Sequence, residues 1–365
     1  MDVNSQPKIK KESKNKIRVE FERTPLKQRL KAKFLNMYFV TKIVWFIFRL
    51  VLLIGISYVV LYPFFTKIAG SFMSPEDFVD VTVRLIPKNF TLDIYKAVLT
   101  ELSYGKAFVN TFILSLSTGL IQTFVCCLIA YGLAKFKFRG NSMVMMLVIL
   151  TMIVPHQTLQ LALFMGFRYF DIWGILSFLS GGASVDIAGF EAINEVLANI
   201  KLFALEDNAL RLTNTYWPLL IMSATGLAFK NGLYIFMLRQ FFTGVPDALE
   251  ESAYIDGSGV FRTFFTIILP LSIPMMITVF LFAFCWQWMD DFYTTLFFTN
   301  NKTKLMSNIL DIPSSLKTDY AGQNMYYSAI RNTCGICIIL PLVVLYAFCQ
   351  NFLVQGIERS GLTAD

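Results

Sequence analysis

Six stretches of this chain are nearly free of Asp, Glu, Lys and Arg, and each is long enough to cross the roughly 30 Å hydrocarbon core of a bilayer. They cover 43–65, 107–134, 141–167, 212–238, 263–289 and 332–357. Only two carry a charge: Arg49 near the start of the first, where it can snorkel, and Lys230 inside the fourth. Runs this long exceed what a globular core buries. With no water to satisfy a bare backbone in lipid, they must be helices. The expectation is an all-α integral membrane protein with six transmembrane helices, at about 43–65, 107–131, 143–166, 215–238, 266–289 and 332–355.

Charge sets the orientation. Of the first 42 residues, twelve are Lys or Arg and four are acidic, the mark of a cytoplasmic tail leading into an anchor. The 135–139 turn holds Lys135, Lys137 and Arg139 with no acid, whereas 171–214 holds six acids and two bases. Both amino and carboxyl termini (1–42 and 358–365) are therefore expected inside, with 43–357 as the permeating domain. The net charge of +7 is concentrated in the tail, with no basic-aromatic platform elsewhere, so nucleic acid is not an expected partner. The first apolar run lies too far from the start for a signal peptide and is expected to remain as an anchor.

Cysteine and histidine usage excludes further classes. Cys126, Cys127, Cys285, Cys334, Cys337 and Cys349 all fall in apolar runs, which suits small buried hydrophobes. There is no metal-ligand spacing and no Gly-x4-Gly-Lys-Ser/Thr loop. Neither a membrane-embedded enzyme nor a chain with its own ATP site fits. A proton-driven carrier would need paired intramembrane carboxylates, and the later spans show none before Asp290.

The external segment 172–210 opens with Ser180-Gly-Gly-Ala-Ser184. Phe190, Ile193, Val196, Leu197, Ile200 and Phe203 follow at helical spacing, an amphipathic helix either lying on the membrane or docking a protein. The loop at 244–262 is the most informative stretch. Pro246 can open a helix, with Asp247, Glu250 and Glu251 at its positive end. Ser252 and Ala253 are small enough for close approach, Gly257 suits the left-handed cap, and Asp256 or Ser258 can cap a following helix. The pattern is a short acidic helix, a sharp turn and a helix entering the membrane, shaped to enter a groove in another protein.

At these residues the chain resembles the coupling motif of binding-protein-dependent ABC importer permeases, Glu-Ala-Ala-x3-Gly-x9-Ile-x-Leu-Pro. Glu251, Ala253, Gly257, Ile267, Leu269 and Pro270 fall in register, with Ser252 in place of the middle alanine. Ala130-Tyr-Gly-Leu-Ala-Lys-Phe136, Leu238-Arg-Gln-Phe-Phe242 and Gln350-Asn-Phe-Leu-Val-Gln-Gly356 extend the likeness to the carbohydrate branch, and within it to the second maltose-type permease. The long 172–210 insertion and Trp288-Met-Asp-Asp-Phe292, which lacks the usual Trp-Asn pair, depart from it.

The resemblance implies the type I importer permease fold, with span one wrapped around a second permease subunit. It implies two copies of an ABC ATPase that use ATP and Mg, an extracytoplasmic solute-binding protein, a carbohydrate substrate, and no cofactor on this chain. Glu250, Glu251, Ser252, Ala253, Asp256 and Gly257 would couple to the ATPase. Candidates for the substrate pathway are Asn110, His156, Gln157, Gln160, Trp286 and Gln287, since sugars need hydrogen bonds and an aromatic platform. His156 reads equally as a packed neutral ring at a proline-disturbed turn, and Lys230 as a packed or snorkelling side chain.

Overall fold

The computed structural model describes residues 9–12, 16–19, 37–170, 205–206, 209–300, 303–320 and 322–359. Most of the 172–210 insertion, with its amphipathic pattern, lies outside these residues. Contacts divide the chain into two units, 1–67 and 68–365. The first holds an antiparallel ribbon of β1 (Ile9–Glu12) and β2 (Lys16–Val19) and nearly all of α1 (Met37–Gly70). At 34 residues α1 spans about 51 Å, more than enough to cross a bilayer.

The second unit is helical apart from a minimal ribbon, β3 (Leu205–Glu206) with β4 (Ala209–Leu210). Its helices are α2 (Asp93–Glu101), α3 (Tyr104–Lys135), α4 (Asn141–Ile153), α5 (Gln160–Arg168), α6 (Trp217–Ala224) and α7 (Asn231–Thr243). They continue with α8 (Ala248–Ile255), α9 (Val260–Thr263), α10 (Leu269–Trp288), α11 (Phe292–Phe297) and α12 (Gln323–Arg359). A π-helical turn, Phe264–Ile268, joins α9 to α10 without a break. Pro270 has no N–H to offer Thr266, and the widened turn falls just before it.

Among the described residues four helices are long and apolar enough to cross a membrane: Thr41–Gly70, Tyr104–Lys135, Val260–Trp288 and Gln323–Val354. Two of the six expected spans are not single straight helices. The third is bent by 94° between Asn141–Ile153 and His156–Arg168, because Pro155 leaves the carbonyl before it without a partner. The fourth is split into α6 and α7 by Thr225–Lys230, where Gly226 (φ 76°) and Lys230 (φ 66°) leave the helical region.

α3 is the central strut, with α6, α7 and α10 packed along it, while α12 packs on α10. Towards α8 the core joins Cys126, Ala130 and Tyr131 of α3 to Tyr234, Leu238 and Phe242 of α7. Towards the opposite end it joins Leu114, Phe167, Leu219, Tyr293 and Phe297. α7 lies so close to α4 that a Cβ on Gly232 would stand 2.5 Å from Thr151 Oγ1 and 2.9 Å from the Val148 carbonyl oxygen. Only glycine permits that approach.

Candidate functional site

The 244–262 segment folds into an elbow. α8 starts at Ala248, two residues after Pro246, so the proline precedes the helix rather than occupying its first position. The elbow closes on Gly257 at φ 81°: Gly257 N–H donates to the Tyr254 carbonyl (3.0 Å) and Ser258 N–H to the Ala253 carbonyl (2.9 Å). This paired closure satisfies the last carbonyls of the helix. Gly259, rather than Asp256 or Ser258, caps α9.

Two side chains of α3 tie α8 down from behind. Tyr131, itself buried, donates its hydroxyl to Glu250 Oε1 at 2.9 Å, and Glu250 is buried with it. The Tyr131 ring packs on Phe136, Phe242 and Phe264. Lys135 Nζ donates to the Val245 carbonyl and to Asp247 Oδ1, both at 2.6 Å. The lysine side chain is 6% exposed and Asp247 76% exposed. The Lys135 hydrogen bond holds the Asp247 carboxyl below the usual carboxylate range.

The six candidates on this segment therefore divide. Glu250 and Ala253 face inward, whereas Glu251, Ser252, Asp256 and Gly257 are exposed. Ile255, 86% exposed, and Phe261, 81% exposed, add an apolar rim that sequence reasoning did not single out. They stand on either side of the turn that carries Asp256 and Gly257.

The break between α6 and α7 is the second unusual place. A helix interrupted within lipid exposes carbonyls that a neighbour must satisfy. Buried Gln122 of α3 does so: its Nε2 donates to the Phe229 carbonyl at 2.8 Å and also to Asn231 Oδ1. Asn231 Nδ2, in a residue 1% exposed, has no hydrogen-bond partner among the described residues.

Around the break lies an aromatic cluster. Lys230 Nζ stands 4.7 Å from the Phe229 ring centroid and 5.0 Å from that of Trp286. The His156 ring lies 4.6 Å from Phe229, 4.7 Å from Phe292 and 5.9 Å from Tyr293, centroid to centroid. Here α4–α5, the α6–α7 break and the α10–α11 junction converge.

Two cavities flank this cluster. One, about 20 Å³, is lined by Gln122, Ser223, Phe229, Trp286, Gln287 and Asp290, among others, and has room for about one water. The other, about 590 Å³ and open, is lined by Gln157, Gln160, Phe164, Asp291, Phe292 and Thr295. His156 touches the walls of both. Five of the six pathway candidates thus gather here, split between a wide vestibule and a small chamber. Asn110 does not join them: its Nδ2 donates to the Lys304 carbonyl at 3.0 Å, anchoring a loop.

Sequence reasoning also missed Phe229 and Asp290. The Asp290 carboxylate accepts from the Tyr293 and Thr294 N–H groups and the Thr294 hydroxyl, at 3.3, 2.8 and 3.0 Å, tying off the start of α11. The signal was present as an aspartate three and four residues before the groups it binds. Phe229 left no sequence signal, because any apolar run contains such a residue.

Helices long and apolar enough to cross a membrane, joined by an exposed elbow, describe an integral membrane protein. Residues 124–359 match the family described as binding-protein-dependent transport system inner membrane component, and the chain belongs to that family. It is thus a membrane-embedded, non-catalytic part of such a system. The chain is 27% identical over 304 residues to the polygalacturonan/rhamnogalacturonan transport system permease protein YtcP of Bacillus subtilis, covering 80% of this chain and 89% of that one. It is 26% identical over 311 residues to the maltodextrin transport system permease protein MalD of Streptococcus pneumoniae, covering 85% and 92%. A solved bacterial ABC transporter involved in the import of the acidic polysaccharide alginate shares the fold, with a TM-score of 0.59, 16% identity, and coverage of 85% and 97%.

Proposed function

We propose that this chain is a permease subunit of an ATP-driven importer for a sugar or oligosaccharide, contributing half of an alternating-access pathway. It pairs with a second permease and is driven by two copies of an ABC ATPase, which hydrolyse ATP with Mg outside this chain. An extracytoplasmic solute-binding protein delivers the substrate. Both termini and the α8 elbow face the cytoplasm, in keeping with the Lys/Arg bias of the tail and the 135–139 turn.

One observation carries the coupling role: α8 exposes Glu251, Ser252, Asp256 and Gly257 while Tyr131 and Lys135 bind its rear face to α3. A force applied to the elbow is thereby delivered to the core rather than absorbed by a loop. Saccharide transport is supported by the names of relatives, which include polygalacturonan, maltodextrin and alpha-glucoside systems. The helix break, the aromatic cluster and the small chamber beside it suit a substrate gate at that level.

Co-purification from solubilised native membranes tests the reading, with Glu251→Arg and Gly257→Asp alongside the parent chain. An ABC ATPase and a second permease should accompany the parent, and the variants should lose the ATPase alone. A chain that purifies by itself, or variants that retain the ATPase, would overturn it.

A further inference from the structure

Two elements meet at the wide vestibule, and each brings a pair of polar residues to it. Gln157 and Gln160 stand three apart where the third span restarts after Pro155. Asp291 and Thr295 stand four apart at the start of α11, which packs on α5. Residues at these spacings share a helix face. All four line the vestibule, and all four are exposed. The thirteen residues of α4, about 20 Å of helix, lift Gln157 from the 135–139 turn well into a hydrocarbon core of about 30 Å. Polar and ionisable side chains at such depth face a cavity or a partner rather than lipid.

Little of this polarity is spent on the fold. Among the described residues the Gln157 and Gln160 side-chain amides make no hydrogen bond. Asp291 holds the cap position of α11 yet makes no capping bond, because Asp290 beside it takes the Tyr293 and Thr294 N–H groups. The Asp291 carboxylate accepts from the Thr295 hydroxyl, at 3.3 Å, and has no cation within 4.0 Å among the described residues. Phe164 and Phe292 supply an apolar wall. The space of about 590 Å³ lies within the range of about 300–1,000 Å³ typical of small-ligand sites.

We infer that this chain carries a saccharide subsite of its own in the vestibule, in which Asp291 accepts from sugar hydroxyls and Gln157 and Gln160 donate to them. The inference rests on the sugar-importer reading above and deepens it. An ionised carboxylate only accepts, whereas an amide both donates and accepts, so the set can read a run of neighbouring hydroxyls. The hydroxyl-to-carboxylate bond is charge-assisted and the strongest of them. No Lys, Arg or His lines the space, and Arg168 near it lies over the Phe164 and Tyr169 rings. The subsite therefore takes an uncharged sugar ring and turns away one bearing a carboxylate, which Asp291 repels.

The test uses the chain in its native assembly, in nanodiscs. It measures equilibrium binding of maltotriose, galactotriose and mannotriose, each against its C6-carboxylate counterpart. At least one neutral sugar should bind about fivefold more tightly than its acid, as repulsion by an exposed like charge provides. Asp291→Ala should weaken that sugar about tenfold or more, and Gln160→Ala about fivefold. Asp291→Asn keeps one acceptor without the charge, so it should retain most of the neutral affinity while closing the gap to the acid. A neutral sugar indifferent to Asp291→Ala, acids that bind as tightly as their neutral forms, or no binding of any probe would overturn the inference. So would loss of the second permease from Asp291→Ala, since the vestibule would then be that subunit's seat. If the ATPase and second permease still accompany the parent chain, only this inference has failed; if they do not, the importer reading has failed first.

Discussion

The elbow and the helix break are both interruptions of regular structure, and they are built in opposite ways. At the elbow the helix end and both inner-side acids are tied: Gly257 and Ser258 satisfy α8, Tyr131 satisfies Glu250, and Lys135 takes both Val245 and Asp247, while Thr263 Oγ1 at the end of α9 has no partner among the described residues. At the break, among the described residues, Asn231 Nδ2 and Gln287 Nε2 have no partner and Lys230 is held by ring faces. The first is tied to α3 by side-chain hydrogen bonds; the second leaves buried donors unused.

The comparison breaks most sharply at the tie between α3 and α8. Tyr131→Phe leaves the buried Glu250 carboxylate without its donor and should cost about 2–4 kcal/mol, read as a fall in melting temperature in detergent. Adding Glu250→Leu should return most of that loss, because removing both partners is far milder than removing one. If the double variant is no better than the single, the tie is not what stabilises the elbow. Next in size, Gly232→Leu forces a side chain against Thr151 and Val148 and should cost about 1–3 kcal/mol by the same measurement.

Gln122→Leu sharpens the other side. It strips the Phe229 carbonyl of its donor and should cost about 1–3 kcal/mol, with hydrogen exchange rising at Thr225–Lys230 and unchanged at α8. Equal rises at both joints would mean that they are not built differently. The smallest effect concerns pH. Because Lys135 lowers the Asp247 carboxyl, the pair's contribution is complete above the unfolded carboxylate range and fades only as pH falls through the depressed folded value. Stability of the parent chain minus that of Lys135→Met should therefore stay constant from pH 7 to about 5 and shrink only in stronger acid.

The elbow was legible in the sequence because its signals are local: a proline, four acids and a glycine within twelve residues. That Glu250 turns inward was not, since its partner Tyr131 lies 119 residues away in the chain. The break at Lys230 was hidden for a different reason. Counting charges over an apolar run measures composition and is blind to backbone direction, so Thr225–Lys230 read as continuous helix. Pro155 did announce a disturbance, though not a bend of 94°. Gln157, Gln160, Trp286 and Gln287 were legible as polar or amphipathic groups in apolar surroundings. Asn110 met the same criterion and serves a loop instead.

α3 carries three fixed points along one 32-residue rod of about 48 Å. Tyr131 and Lys135 hold the elbow, Gln122 holds the break, and Thr111 accepts a hydrogen bond from Met306 N–H at the far end. Gln122 lies between the other two points, about 16 Å of helix from Thr111 and about 20 Å from Lys135, so a rigid tilt of the rod by about 5° about its middle would carry the elbow and the Met306 loop about 2 Å in opposite senses.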